Sequence, residues 1–124
     1  MKQKKKKVLI IEDELEMALL LKKRMEAHGF KCITAENPVD GLKKAVEGSP
    51  DLILLDLMLP KMSGLGFLRI VKGNPNLSII PVVVLTALRD EEIAREAMDL
   101  GAAGFLVKGC DLQELVSMVR KHSS

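Results

Sequence analysis

The sequence predicts a doubly wound α/β domain, a single parallel sheet with helices on both faces. Five short apolar runs, "VLII" (8–11), "CITA" (32–35), "LILL" (52–55), "VVVL" (82–85) and "GFLV" (104–107), recur at intervals long enough to hold a helix between each pair. Strand and helix alternating five times implies parallel strands joined by right-handed crossovers. The chain's 124 residues, 48% hydrophobic and 29% charged, suit one compact domain with a single core.

The elements follow in order. After the first strand, Leu15, Ala18, Leu19 and Met25 supply a helical apolar stripe, and Gly29 stops that helix behind His28. Pro38 stands where a second helix begins; Leu42, Ala45 and Val46 repeat at helical spacing before Gly48 and Pro50 end it. A third helix is predicted from about Gly64 to Val71, with "GNPN" as terminator, and a fourth from about Asp90 to Leu100 with Ile93, Ala94 and Ala97 as its buried face. Asp111 and Glu114 form a capping-box pattern that opens a last helix reaching about Lys121. The predicted organisation is a basic tail (1–6), one domain (7–121) and a short C-terminal tail (122–124), with no repeat and no linker.

Charge is unevenly placed. Lys2, Lys4, Lys5, Lys6 and Lys7 crowd the first seven residues, and setting those five aside turns the net +2 of the chain into −3 for the remainder. The run reads as a solvated tail with at most a weak attraction to polyanions. Phe30, Phe67 and Phe105 are too far apart to make a base-stacking platform, so direct nucleic-acid binding is not expected. Cys32 and Cys110 lack the spacing of a metal knuckle or redox pair and predict reduced thiols in a cytoplasmic protein. No run approaches the roughly 20 apolar residues of a membrane span, so no membrane insertion is expected.

The chemistry is read at the strand ends. Ile11 is followed by Glu12 and Asp13, Leu55 by Asp56, Leu85 by Thr86 and Val107 by Lys108. In a parallel sheet these residues gather at the carboxyl edge, where open α/β sheets place their ligands. Asp56, which ends an apolar run that would bury it expensively, can then stand in a shared polar cleft. Three carboxylates held together repel unless a cation lies among them, and oxygen ligands without Cys or His suit magnesium. Lys108 adds a positive charge and Thr86 a hydroxyl. Metal, lysine, hydroxyl and an attacking carboxylate together describe a site for phosphoryl transfer.

From about Lys7 to Lys121 the chain resembles a receiver domain of a two-component response regulator. The resemblance rests on "IIEDE" after the first strand, "LLDLMLPKMSG" after the third, "VVLTA" after the fourth and "GAAGFLVKG" after the fifth, in that order. It implies the flavodoxin-like strand order 2-1-3-4-5. It implies that Asp56 accepts a phosphoryl group from a sensor histidine kinase, a phosphotransfer protein or a small acyl phosphate. Asp13, Asp56, Glu12 (through water) and the backbone carbonyl of Met58 would hold Mg2+, and Lys108 would pair with the phosphoryl group. Thr86 would move toward it, and Phe105, a core aromatic that doubles as a switch, would turn inward and reshape the face made by the fourth helix, fifth strand and fifth helix. A downstream target protein would read that face, with the chain a monomer or a phosphorylation-linked dimer.

Two departures stand out. Gly109 follows Lys108 where many receivers carry a proline after a cis bond, which unsettles the placement of Lys108. Met58 and Leu88 are apolar where relatives are often polar, which predicts slow loss of phosphate. Two other readings compete with the switch. An aspartate-nucleophile phosphatase would need a second aspartate two residues after Asp56, where Met58 stands; a phosphate-independent binding module would have no use for the acid set.

Overall fold

The computed structural model describes residues 4–57, 64–86 and 91–123. Five strands, β1 (Lys7–Ile11), β2 (Lys31–Ala35), β3 (Leu52–Asp56), β4 (Val82–Thr86) and β5 (Gly104–Val107), alternate with α1 (Leu15–Ala27), α2 (Pro38–Gly48), α3 (Gly64–Gly73), α4 (Glu91–Asp99) and α5 (Leu112–Ser123). All strand pairs are parallel and the order is β2-β1-β3-β4-β5, as the resemblance implies. The order reverses between β1 and β3, which fixes the switch point there.

The strand sequences are nearly uniform in apolar character because both faces are covered. Leu9, Ile11, Ile53, Leu55, Val82 and Val84 join Phe67, Leu68 and Val71 of α3 and Ala97 of α4 in one core. Val8, Ile10, Leu52, Leu54, Val83 and Leu85 alternate onto the other face, against Met25 of α1 and Leu115, Val116 and Val119 of α5. Each such fully buried aliphatic side chain contributes about 2 kcal/mol. Among the described residues no helix is long and apolar enough to cross a membrane.

Helix starts follow the expected chemistry in part. The Asn37 side chain accepts from the Asp40 amide at 2.8 Å and Pro38 opens α2. At α5 the Asp111 carboxylate accepts from the Gln113 amide at 3.2 Å, which makes Asp111 the N-cap as expected. The last helix runs on to Ser123, so His122 and Ser123 belong to α5 and not to a tail.

Three packing expectations are corrected. Leu15 and Leu19 are 70% and 51% exposed, because α1 turns Ala18, Leu21 and Met25 inward instead. Val46 is 63% exposed; α2 buries Pro38, Gly41 and Ala45, small residues that bring the helix close to the sheet. Phe105 is 45% exposed and so is not a core side chain: period-two alternation on the edge strand sends Gly104 and Leu106 inward and Phe105 to the other side.

Candidate functional site

Parallel pairing carries the strand-end residues to one edge. Ile11 lies opposite Leu55, Asp56 opposite Leu85 and Thr86 opposite Val107. Backbone bonds continue past the strands: the Glu12 amide donates to Ala35 O, the Leu57 amide to Leu85 O and the Lys108 amide to Thr86 O at 2.8 Å. The last of these fixes where the Lys108 side chain begins.

That side chain crosses to the middle of the sheet. Lys108 Nζ donates to Asp56 Oδ2 at 2.8 Å and lies 3.5 Å from Glu12 Oε1. Asp56, Glu12 and Thr86 are buried, whereas Asp13 is exposed. Carboxylate oxygens of Glu12, Asp13 and Asp56 all come within 4.8 Å of one another. Neither Oε1 nor Oε2 of Glu12 has a hydrogen-bond partner among the described residues, although both are fully shielded from solvent.

The electrostatics follow from that crowding. Burial pushes the Glu12 carboxyl up from 4.5 to about 8; the adjacent Asp56 carboxylate pushes the same way, Lys108 opposes, and Asp13 adds a smaller repulsion. For Lys108, burial alone would lower the ammonium, but the Asp56 bond and the Asp56 and Glu12 charges outweigh it and hold the group above its usual value. One lysine therefore serves two buried acids, and the set still lacks positive charge. Hard oxygens with unsatisfied buried lone pairs fit a divalent cation.

The edge thus brings together Glu12, Asp13, Asp56, Thr86 and Lys108, as the strand-end pattern predicts. Met58 and Leu88 lie outside the described residues. There is no cis peptide bond among the described residues; Gly109 takes φ +86°, a left-handed conformation suited to glycine, and Lys108 reaches Asp56 without a proline behind it. Phe105 sits on the edge strand β5, two strands outward from Asp56 and next to the strand that ends in Thr86.

The sequence marks Gly64 as a helix start without showing why glycine stands there. Gly64 opens α3 so close to β3 that a Cβ there would lie 2.7 Å from Leu57 Cα and 3.1 Å from Asp56 O. A glycine eight residues after a strand-end aspartate was a visible signal, but only the packing of helix on strand explains it.

Fold and edge define an open α/β protein with a cation-competent carboxylate centre at its switch point. The response regulator receiver domain profile matches residues 8–120, and the chain belongs to that family. It is 34% identical over 114 residues to the response regulator ArlR of Staphylococcus saprophyticus, covering 92% of this chain and 50% of that protein. It is 35% identical over 114 residues to the probable chemotaxis protein CheY of Rhizobium etli, covering 91% and 88% respectively. A solved structure of a putative response regulator from Chloroflexus aurantiacus superposes with a TM-score of 0.92 at 26% identity, over 97% of this chain and 98% of that one. Several curated relatives, ArlR among them, are about twice as long as the stretch this chain spans.

Proposed function

We propose that this chain is a phosphorylation-dependent signalling switch in which Asp56 is the phosphoacceptor. The observation that carries the reading is the pairing of buried Asp56 with Lys108 at 2.8 Å inside a cluster of acids that lacks positive charge. An Asp56 carboxylate oxygen attacks the phosphorus of a phosphohistidine on a sensor histidine kinase or phosphotransfer protein, or of a small acyl phosphate. The P–N or P–O bond to the donor breaks, and the phosphoryl group stays on Asp56 as an acyl phosphate. Asp13, Asp56, Glu12 and the Met58 carbonyl would hold Mg2+, which when bound neutralises charge on the phosphoryl oxygens. Lys108 gives up its contact with Asp56 to pair with the phosphoryl group.

The added charge of about −1.5 to −2 needs new donors. Thr86, at the neighbouring strand end, supplies its hydroxyl by moving toward Asp56. Space behind Thr86 then admits Phe105, whose exposed ring has an outward starting position from which to turn. The face of α4, β5 and α5 changes shape, and a downstream target protein reads it. The chain acts as a switch and not as a turnover enzyme, in the cytoplasm where its kinase and target would meet it.

Intact-mass measurement after incubation with acetyl phosphate and magnesium tests the proposal. Wild type gains one phosphoryl group, and Asp56→Asn gains none. Continuous phosphate release from unrelated monoesters would favour the aspartate-nucleophile phosphatase, and absence of a labile adduct on wild type would favour the phosphate-independent module. The relay has its own readout. With no tryptophan or tyrosine in the chain, Phe105→Trp is a sole fluorophore, and its emission shifts to the blue on phosphorylation if the ring turns inward. Thr86→Ala should abolish that shift while leaving the mass gain intact.

A further inference from the structure

The opposite end of the sheet carries a second charged site. Lys4, Lys5 and Lys6, leading into β1, meet His28, Gly29 and Phe30 after α1 and Arg120 and Ser123 of α5 around a cleft of about 270 Å³. Its lining holds four fixed cations, one histidine and no carboxylate. No ion pair ties Lys4, Lys5 or Lys6 to an acid among the described residues. Arg120 is held in place: its Nη2 donates to His28 O at 3.1 Å and its guanidinium lies 5.9 Å from the Phe30 ring centroid. The Lys6 carbonyl accepts from the Lys31 amide at 2.9 Å, so the lysine run is anchored to the sheet where it enters the cleft. Four positive charges facing one cleft set up a positive potential that concentrates multivalent anions there.

We propose that this basic cleft binds a compact anion carrying adjoining phosphate groups, either a free polyphosphate or the headgroup of a multiply phosphorylated lipid. Forked arginine donors beside lysine point charges match phosphate oxygens. The cleft, about 270 Å³ and open to solvent, does not exclude a group the size of a few linked phosphates. Nucleic acid fits less well: Phe30 is buried beneath Arg120 and offers no face on which a base can stack.

The cleft is independent of the acid centre. From Lys6 to Glu12 the chain runs along β1, about 20 Å at roughly 3.3 Å per residue, which exceeds the Debye length of about 8 Å in physiological salt. At physiological ionic strength occupancy therefore leaves the chemistry at Asp56 unchanged, and there the two sites can be tested apart.

The test is calorimetric titration of the magnesium-free protein with tripolyphosphate at low salt, beside co-sedimentation with phosphatidylcholine vesicles made with and without cardiolipin. Wild type binds one of these probes with a steep salt dependence. Lys5→Glu/Lys6→Glu binds at least about tenfold more weakly and Arg120→Gln about threefold more weakly. Both variants keep the wild-type circular dichroism and the magnesium-dependent mass gain. Binding of tripolyphosphate identifies a free anion, and binding to cardiolipin vesicles alone identifies a headgroup. Binding of neither probe, equal binding by the variants, or tighter binding of a mixed-sequence DNA duplex would overturn the proposal.

Discussion

The two ends of the sheet carry opposite charge and opposite solvation. At the carboxyl edge Glu12 and Asp56 are 2% and 1% exposed, and one lysine is shared between them. At the amino edge Lys4, Lys5 and Lys6 stand in water, as does Arg120. Exposed like charges are screened and inexpensive; buried ones are neither, and their repulsion is stored in the fold. Burial, more than the number of charges, decides which end can be altered by a cation.

The largest effect that sharpens this contrast is a pH dependence. Glu12 titrates near 8 in the folded chain and near 4.5 when unfolded, so the folded state holds its proton more tightly. Its contribution is fully present below about pH 4.5 and is lost as pH rises through about 8, by up to a few kcal/mol. The urea midpoint of the magnesium-free protein should therefore fall across that window. Glu12→Gln removes the slope, and saturating magnesium flattens it; a midpoint constant over the same range in wild type would show that the carboxylates do not repel as their burial demands.

Next in size is Gly64→Ala. An exposed helical glycine gains up to about 1 kcal/mol on replacement by alanine. Here the methyl group meets Leu57 backbone, so destabilisation of about 2 kcal/mol is expected, read as a lower urea midpoint. A smaller change is expected for Lys108→Met. Removing the cation beside Asp56 leaves the acids more negative, and magnesium should bind about tenfold more tightly, followed by nuclear magnetic resonance titration. Weaker binding would mean that Lys108 organises the acids instead of competing for them. Last, Lys4→Glu/Lys5→Glu should leave both the urea midpoint and its pH slope as in wild type, since these side chains are exposed. A measurable shift would erase the distinction between the two ends.

How much of this was legible in the sequence differs by element. The strands and the polar residue closing each of them could be read directly, because strands buried on both faces leave uninterrupted apolar runs and a polar residue marks where burial stops. The faces of α1 were not legible: in "LEMALLLKKRM" apolar residues fill two overlapping stripes, and only docking on the sheet selects Ala18, Leu21 and Met25 over Leu15 and Leu19. Phe105 was misread as core although the implied order already set its strand at the edge, because an apolar run does not show which of its alternating faces is covered. The place of Gly64 at the start of a helix could be read, but not why glycine is required there: that requirement is a distance between two elements, which exists only once they pack.

The acid centre draws Glu12 from the end of β1, Asp56 from β3 and Lys108 from beyond β5. A chain emerging from the ribosome completes both carboxylates long before the ammonium that offsets them has been translated. The last strand and the turn after it therefore deliver the cation to a rim whose carboxylates come from strands translated earlier.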